Sequence, residues 1–359
     1  MLKFHPLQLI DRSALAEDAV GLSFAVPEAL REAYRFEAGQ HLAIRADING
    51  VEVRRTYSIV STPTARDLRI GVRIHAHGSM STYLAKQVRV GDSLDVLTPN
   101  GSFHAPAGAS GPKTFLAFAA GSGITPVLSI IATMLAAHPD NRMLLILGNR
   151  SAARAMFLED VLALKNRYMP RLAVHFVMSG EAQDIELFNG RIDAAKVKDL
   201  AGRVFDLAAI DEYFVCGPDT MIAEVSELLV SRGVPAQRIH SEYFSVSAPP
   251  AAAMQEGAGA TMRQSGTIQV TVIMDGRRRG FTMATDGESI LDAATRSGID
   301  LPYSCCAGIC STCRTKVVQG TAVMAENYAL EDWEIAAGYT LCCQARPTSP
   351  ELEISFDER

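Results

Sequence analysis

The chain has 359 residues, 48% hydrophobic and 21% charged, the make-up of a globular protein long enough for two or three domains. Its net charge of −6 offers no basic surface for a nucleic-acid partner. Six of its seven cysteines lie beyond residue 304. They form a local site and not a disulfide framework, and thiolate ligands suit a reducing compartment. The opening MLKFHPLQL lacks an apolar core of signal-peptide length, and a cytoplasmic location is expected. Thr114–Ala137 is uncharged over 24 residues, long enough to span a bilayer. Gly121, Gly123 and Pro126 interrupt it, so a buried strand, a glycine turn and a buried helix fit better, and no membrane partner is expected.

Residues 1–110 read as β-rich. LSFAV, HLAIRAD, VEVRRTYSI, LRIGVRIH and DSLDVLTP are short strand candidates separated by turn residues, which predicts an antiparallel barrel. A helix interrupts it in SMSTYLAKQV. Two places carry chemistry. In Arg55-Thr56-Tyr57-Ser58 an arginine fork can hold a phosphate, a tyrosine ring can stack on a flat cofactor and a hydroxyl can bond a ring nitrogen. Gly78-Ser79-Met80-Ser81-Thr82 is a helix start suited to a pyrophosphate. Taken singly, each is equally a strand end and a helix cap. His75 and His77 alternate in strand-like VRIHAHG and read as surface or packing residues.

Residues 111–245 change to alternating strands and helices. FLAFAA, MLLILG, LAVHFVMS and EYFVCG are apolar runs of buried parallel type, with helices near 126–137, 153–166 and 219–232. The expectation is an α/β doubly wound sheet. Gly121-Ser122-Gly123-Ile124-Thr125-Pro126 follows the first strand and opens the first helix. Small residues there let a phosphate approach the backbone, and Pro126 sits where a first helical turn tolerates it. The second strand ends in LGNRS. No acid appears there until Glu159, whereas Arg150, Ser151 and Arg154 suit a 2′-phosphate, which favours NADPH over NADH. Arg150 and Arg154 as solvated helix-start residues is the plainer alternative. Cys216-Gly217-Pro218, with Met221 a turn later, ends another strand at the edge where such sheets bind ligands, although a lone buried cysteine often only packs.

Ser245–Gly266 is rich in Ala, Gly and Pro, and 246–266 is expected to be a flexible linker with a root-mean-square span of about 25 Å. Residues 267–359 carry 13 acids and 8 bases, suiting either a basic docking partner or ordinary solvation. TIQVTVIM and RGFTMAT suggest a hairpin, SILDAATRSG a helix ended by Gly298, LEISF a last strand, and Trp333 part of a surface helix. Within it, Cys305, Cys310 and Cys313 are spaced by four and then two residues, and Cys343 follows after twenty-nine more. That is the plant-type spacing for a 2Fe–2S cluster. Zinc is the weaker alternative, because only one Cys-x-x-Cys hook is present, and disulfides are weaker still. Cys306 and Cys342 would break the spacing and are expected to be packed, non-ligating thiols.

PYSC, AG-x-CS-x-C and LxCxAxP resemble the plant-type ferredoxin motif. Arg-x-Tyr-Ser, Gly-x-x-Ser/Thr and Gly-x-Gly-x-x-Pro in series resemble the ferredoxin-reductase superfamily. That resemblance implies FAD, with Arg55 on its phosphates, Tyr57 on the isoalloxazine face, Ser58 near its reactive nitrogen, and Met80, Ser81 and Thr82 on the pyrophosphate. It places Cys216-Gly217-Pro218 beneath the nicotinamide, and Glu242 and Phe244 near the flavin edge, with Glu242 a candidate proton relay. Across nearly the whole chain, AVPEALREAYRFEAGQHLAIRA, RRTYSI, AAGSGITPVLSIIATML, GNRS, RIHSEYF, DLPYSC and AAGYTLCCQA are similar to the reductase subunits of bacterial phenylacetyl-CoA epoxidase (ring 1,2-epoxidase) complexes, whose electrons go to a di-iron oxygenase. The chain departs from them at HGSMSTY, at LGNRS, and in Ala307 and Ile309. The expected fold is multidomain: a flavin barrel, a doubly wound nucleotide domain and an α+β, β-grasp ferredoxin domain at 267–359. The expected activity is transfer of electrons from NADPH through FAD and a 2Fe–2S cluster to an oxygenase. A Rieske-type acceptor, or a redox sensor without nicotinamide turnover, are the alternatives.

Overall fold

The computed structural model describes residues 2–104, 111–244, 267–284 and 287–358. The linker expected at 246–266 and the first boundary residue, 110, lie outside the described residues. Lys3–Phe244 forms one compact unit, and residues 267–358 belong to a second.

The first unit begins with β1 (Phe4–Ala16), β2 (Ala19–Ala25), β3 (His41–Ile48), β4 (Val51–Ser58) and β5 (Asp67–Arg73), then α1 (Ser79–Lys86) and β6 (Ser93–Leu97). The strands pair antiparallel in the order β4-β3-β6-β1-β2-β5. An Ile59–Ile70 bridge and the Val60 N–H donating to the Arg69 carbonyl at 2.7 Å close the ring. Alternate side chains point inward because strand side chains alternate faces; Leu7, Leu9, Leu22, Phe24, Leu42, Ile44, Ile70 and Val72 fill the core, joined by Met80, Leu84 and Ala85 of α1. β1 is an addition to the expected strands. β5 stops at Arg73, so His75 and His77 lie in an exposed turn and not in a strand.

The sheet that follows has β7 (Thr114–Ala120), β8 (Arg142–Asn149), β9 (Leu172–Met178), β10 (Glu212–Gly217) and β11 (Ile239–Tyr243), with α2 (Ile124–Ala137), α3 (Leu158–Arg167), α4 (Ala194–Leu200) and α5 (Asp219–Ser231) between successive strands. All neighbours are parallel, in the order β11-β10-β7-β8-β9. Phe115, Ala117, Ala119, Leu145, Leu147 and Cys216 face α2 and α3, while Leu116, Phe118, Ile146 and Val215 face α4 and α5. Both faces are covered, which is why these strands read as unbroken apolar runs. The strand order reverses between β7 and β10, creating a crevice at their carboxyl ends. Among the described residues no helix is long and apolar enough to cross a membrane.

Barrel and sheet share a core. Ala38, Val60 and Phe103 pack with Val127, Ile130 and Ile131 of α2, and the Ser129 hydroxyl donates to the Ser61 carbonyl at 2.7 Å. Arg69 pairs with Asp160 at 2.6 Å. Asp18 lies between Arg73 and Arg154, and these two guanidiniums hold its carboxyl below its ordinary range despite partial burial.

In the second unit, β12 (Thr267–Met274) and β13 (Arg277–Ala284) form the expected hairpin, then come α6 (Ile290–Arg296), β14 (Arg314–Gln319), β15 (Ala322–Met324), α7 (Asp332–Ala336), β16 (Tyr339–Leu341), β17 (Ala345–Pro347) and β18 (Glu351–Ser355). The main sheet runs β13-β12-β18-β14-β16, with β18 parallel to β12. α6 packs Ile290, Leu291, Ala293 and Ala294 into its core, giving the β-grasp arrangement. The hairpin turns through Asp275 and Gly276, both at positive φ (58° and 68°), as a primed two-residue turn requires. Ser289 caps α6 by accepting from Asp292 N–H at 3.1 Å, and Gly298 at φ 74° ends it. Trp333 is 61% exposed on α7.

Candidate functional site

The four expected cluster cysteines come together as two pairs. Cys310 neighbours Cys305 and Cys313 neighbours Cys343, and the Cys310 thiol donates to the Thr312 hydroxyl at 3.2 Å. In the first pair the neighbouring Cys310, with the N–H groups of Ala307, Ile309 and Cys310, holds Cys305 down to about 5, and Ala307 N–H donates to its sulfur at 3.4 Å, while the neighbouring Cys305 and burial push Cys310 well up. In the second pair Cys343 is lowered, by its neighbour Cys313 first and by the Gly308 N–H among others, and Cys313 is raised. Cys306, Gly308 and Ser311 have φ of 54°, 74° and 48°. Such alternation turns successive N–H groups inward as a nest for negative sulfur. The far pair is held by the Cys342 N–H donating to the Cys313 carbonyl at 3.1 Å. Two pairs of cysteine sulfurs, once deprotonated, would suit a two-iron cluster. Among the described residues no three His, Cys, Asp or Glu side chains converge on one single-ion site. Cys342 is fully buried in the core beneath, as expected. Cys306 is not packed; it is exposed on the outer face of the loop.

In the first unit the barrel edge and the crevice meet. Arg55 is exposed at the end of β4 with Tyr57 half-buried beside it, and burial pushes the Tyr57 hydroxyl well up. Ser58 is buried, and its hydroxyl donates to the Glu242 carboxylate of β11 at 3.3 Å. At α1, the Ser81 hydroxyl accepts from His75 N–H and donates to the Gly78 carbonyl. It is therefore committed to shaping the helix start, and Met80 is buried. The Thr82 N–H donates to the Gly78 carbonyl, so the earlier N–H groups of the turn are the ones a pyrophosphate could take.

Around the crevice, Gly121 takes φ 57° with open space where a side chain would stand. A Cβ on Gly123 would lie 2.0 Å from the Cys216 carbonyl oxygen. Glycine there lets the β7–α2 turn lie directly against β10. The Thr125 hydroxyl donates to the Ser122 carbonyl at 2.9 Å, bracing that turn, and Pro126 is buried in the first turn of α2. A Cβ on Gly217 would strike the Met221 methyl and Ala120, and Pro218 caps α5. Cys216 is wholly buried, and burial, then the Glu242 charge, push its thiol well up. It sits there as a neutral thiol and not as a nucleophile. Phe244 is exposed at the end of the unit.

The residues after β8 divide. Arg150 is exposed and lies over Gly180, whose Cβ would fall 2.7 Å from its Cγ. Ser151 is half-buried. Arg154 turns away to Asp18 and the barrel, so it does not converge with Arg150. Two groups here lay beyond sequence reasoning. Glu181, after β9, accepts the Ala152 N–H at 2.8 Å, bringing an acid to a strand end that appeared to have none. The Asn149 amide nitrogen is buried without a hydrogen-bond partner. Only strand order could have revealed either.

These structures fit the groups that known proteins of this kind carry. Residues 6–105 match the family model of an oxidoreductase FAD-binding domain, 118–227 an oxidoreductase NAD-binding domain and 272–348 a 2Fe-2S iron-sulfur cluster binding domain. The chain is 40% identical to the E subunit of the 1,2-phenylacetyl-CoA epoxidase of Escherichia coli (strain K12), over 100% of this chain and 99% of that protein. The chain belongs to the family of phenylacetyl-CoA epoxidase reductase subunits. Members of this family have the architecture of the ferredoxin-reductase superfamily, and the chain is an NAD(P)H-dependent electron-transfer oxidoreductase. It is also 33% identical to the ferredoxin reductase component of a Rhodococcus rhodochrous 3-ketosteroid-9-alpha-monooxygenase, covering 94% of this chain and 93% of that one. Among solved structures, phthalate dioxygenase reductase matches with a TM-score of 0.58 at 22% identity, covering 98% of both chains, and shares the fold.

Proposed function

We propose that the chain passes electrons from NADPH to FAD, from FAD to a 2Fe–2S cluster, and from the cluster to a partner oxygenase, with the di-iron phenylacetyl-CoA epoxidase as acceptor. The observation that carries the nicotinamide-to-flavin step is the Ser58–Glu242 hydrogen bond. It joins the flavin edge of the barrel to the edge of the sheet beside Cys216, its partner in the β10–β11 register. The acceptor assignment is supported by the full-length likeness to the epoxidase component. The monooxygenase component at 33% identity supports a second reading, in which the acceptor is a different oxygenase.

The residues divide the work. Domains at 1–110, 111–245 and 267–359, joined by 246–266, hold FAD, nucleotide and cluster in turn. Arg55 and the α1 start, Gly78, Met80, Ser81 and Thr82, hold the FAD phosphates, with Ser81 shaping the turn and backbone N–H groups facing the anion. Tyr57 covers one ring face, and Ser58 offers its hydroxyl to the reactive ring nitrogen. Gly121, Gly123, Thr125 and Pro126 leave room for the nucleotide pyrophosphate. Cys216, Gly217, Pro218 and Met221 form the floor that orients the nicotinamide and excludes water, with Phe244 at the flavin edge. Glu242 receives a proton from Ser58. Arg150 and Ser151 favour the 2′-phosphate, opposed by Glu181, and Arg154 acts only by bracing the barrel through Asp18. Cys305, Cys310, Cys313 and Cys343 hold the cluster. When bound, the flavin exchanges two-electron for one-electron chemistry, which nicotinamide and cluster cannot do directly.

An anaerobic visible titration with NADPH and NADH in parallel tests this. Flavin bleaching followed by loss of the cluster bands, at lower NADPH than NADH, is expected. A flavin that neither nucleotide bleaches would leave a sensor, and a colourless zinc protein would end the proposal.

A further inference from the structure

The loop after β8 carries Arg150 and Ser151 but has little regular structure of its own. Ser151 is extended, with φ −155° and ψ 166°, and Ala152–Arg154 make a single 3-10 turn. Backbone in such a segment is placed by its neighbours, because it makes few hydrogen bonds within itself. The sheet supplies one set of contacts. The Gly180 N–H donates to the Arg150 carbonyl at 2.8 Å, and Glu181 accepts the Ala152 N–H. The barrel supplies the other. From the β1–β2 turn, the Glu17 N–H donates to the Ala153 carbonyl at 3.2 Å. Arg73 of β5 donates through Nη2 to the Arg154 carbonyl at 2.9 Å and through Nη1 to one Asp18 oxygen. The other Asp18 oxygen accepts from Arg154 Nη2. One carboxylate thus ties a barrel guanidinium to a guanidinium of the loop. The Asp18 and Arg73 side chains are only 22% and 14% exposed, so salt and water screen this tie less than they would an open surface pair.

We propose that Asp18, in the barrel, is a positioning residue for nucleotide selectivity: through Arg73 and Arg154 it fixes the loop on which Arg150 and Ser151 meet the 2′ position of the nucleotide ribose. This rests on the 2′-phosphate site proposed above. Asp18 acts through the loop and not on the nucleotide. An arginine–phosphate contact depends on the angle and reach of the guanidinium fork, so a small shift of its backbone weakens it. In the proposed site the pyrophosphate and nicotinamide lie on other elements, the β7–α2 turn and the end of β10. Releasing the loop therefore penalises the nucleotide that carries the extra phosphate and spares the one that lacks it. Apolar packing limits the loss. A Cβ on Gly71 of β5 would fall 2.5 Å from the Phe157 ring and 2.8 Å from the Met156 methyl. Barrel and loop are thus in close contact just beyond Arg154, and this end of the loop stays seated when the carboxylate is removed.

The test uses the full-length holoenzyme, with steady-state reduction of ferricyanide measured with NADPH and NADH in parallel. Asp18→Asn keeps the size of the side chain and removes its charge. It should raise KM for NADPH by about fivefold and leave kcat within about twofold, with both constants for NADH also within about twofold. Arg154→Gln, which removes the other end of the tie, should give the same split. In a double variant with Arg150→Ala, the effect of Asp18→Asn on the NADPH-to-NADH ratio should vanish, since both residues act on one contact. A wild-type ratio in Asp18→Asn and Arg154→Gln, beside a shifted ratio in Arg150→Ala, would overturn the inference alone. So would equal losses with both nucleotides, loss of flavin from both single variants, or full additivity in the double variant, because the tie would then serve only the fold. An unshifted ratio in Arg150→Ala would overturn the 2′-phosphate reading, and this inference with it.

Discussion

Replacing Gly123 with alanine probes how the nucleotide crevice is built. Its φ of −61° suits any residue, so alanine meets no conformational penalty and the whole effect is steric. The new Cβ would stand 2.0 Å from the Cys216 oxygen, 2.4 Å from its carbonyl carbon and 2.9 Å from Gly217 N. All three are backbone of the buried strand β10 and cannot rotate aside. The β7–α2 turn would have to retreat by roughly 1 Å, at an overpacking cost of about 2–3 kcal/mol. In a unit of this size that lowers the unfolding midpoint by roughly 5–10 °C. Misplacement of a bound nucleotide by this distance also weakens its productive capture by about tenfold or more. Thermal release of flavin fluorescence reports the first effect, and stopped-flow bleaching at graded NADPH the second. Cluster absorbance serves as the control, since the cysteines lie in the other unit. A variant with wild-type midpoint and wild-type nucleotide dependence would refute the claim that close backbone approach makes the crevice.

Cys343→Ser should abolish the cluster bands and leave flavin bleaching by NADPH intact. Cys342→Ser should keep the bands and lower the stability of the second unit by about 1–3 kcal/mol, by burying an unpartnered hydroxyl; visible absorbance in each variant reads this, and the reverse pattern would mean the ligand register is wrong. Arg150→Ala should raise the Michaelis constant for NADPH over that for NADH by about 2 kcal/mol, whereas Glu181→Gln should shift the ratio toward NADPH; steady-state kinetics with both nucleotides would show equal changes if neither residue faces the 2′ position. Asp18 has a folded value below its ordinary 3.8, so its contribution is present above that pH and lost as pH falls through the lowered value. Denaturant unfolding of wild type and Asp18→Asn should therefore differ most near neutrality and converge only once pH falls below the lowered value; a gap that stays constant with pH would show that the charge is not what matters.

Much of this architecture was legible because its signals are local. The parallel strands announced themselves as apolar runs, the Gly121-Ser122-Gly123 turn by its small residues, and the ferredoxin module by cysteine spacing. β1 escaped notice because beyond Leu9 its side chains, including Asp11 and Arg12, are mostly exposed, so no alternation marks it. α4 is only seven residues long, and β11 buries Glu242 and no apolar side chain. The start of α3 was expected at 153 and falls at Leu158, because Ala152–Arg154 forms a tight 3-10 turn and Phe157 adopts φ 58°. Glu181 and Asp18 could not be read at all. They act across 29 and 136 residues of chain, on Ala152 and Arg154 respectively, and only the folded sheets bring such pairs together.

The division of the cysteines has a consequence for how long the molecule survives. Three come from one loop, and Cys343 arrives from beyond α7 and β16. If the cluster proposed above joins Cys313 to Cys343, it closes a loop of about 30 residues, worth roughly 3–4 kcal/mol of chain entropy in the unfolded state. That is a large part of what holds any small domain together. Iron supply would then act on the lifetime of the protein as well as its redox capacity. In cells starved of iron, newly made chains would expose the 267–359 segment to proteases while the flavin-bearing part stayed folded, and the pool of reductase would shrink as the metal does.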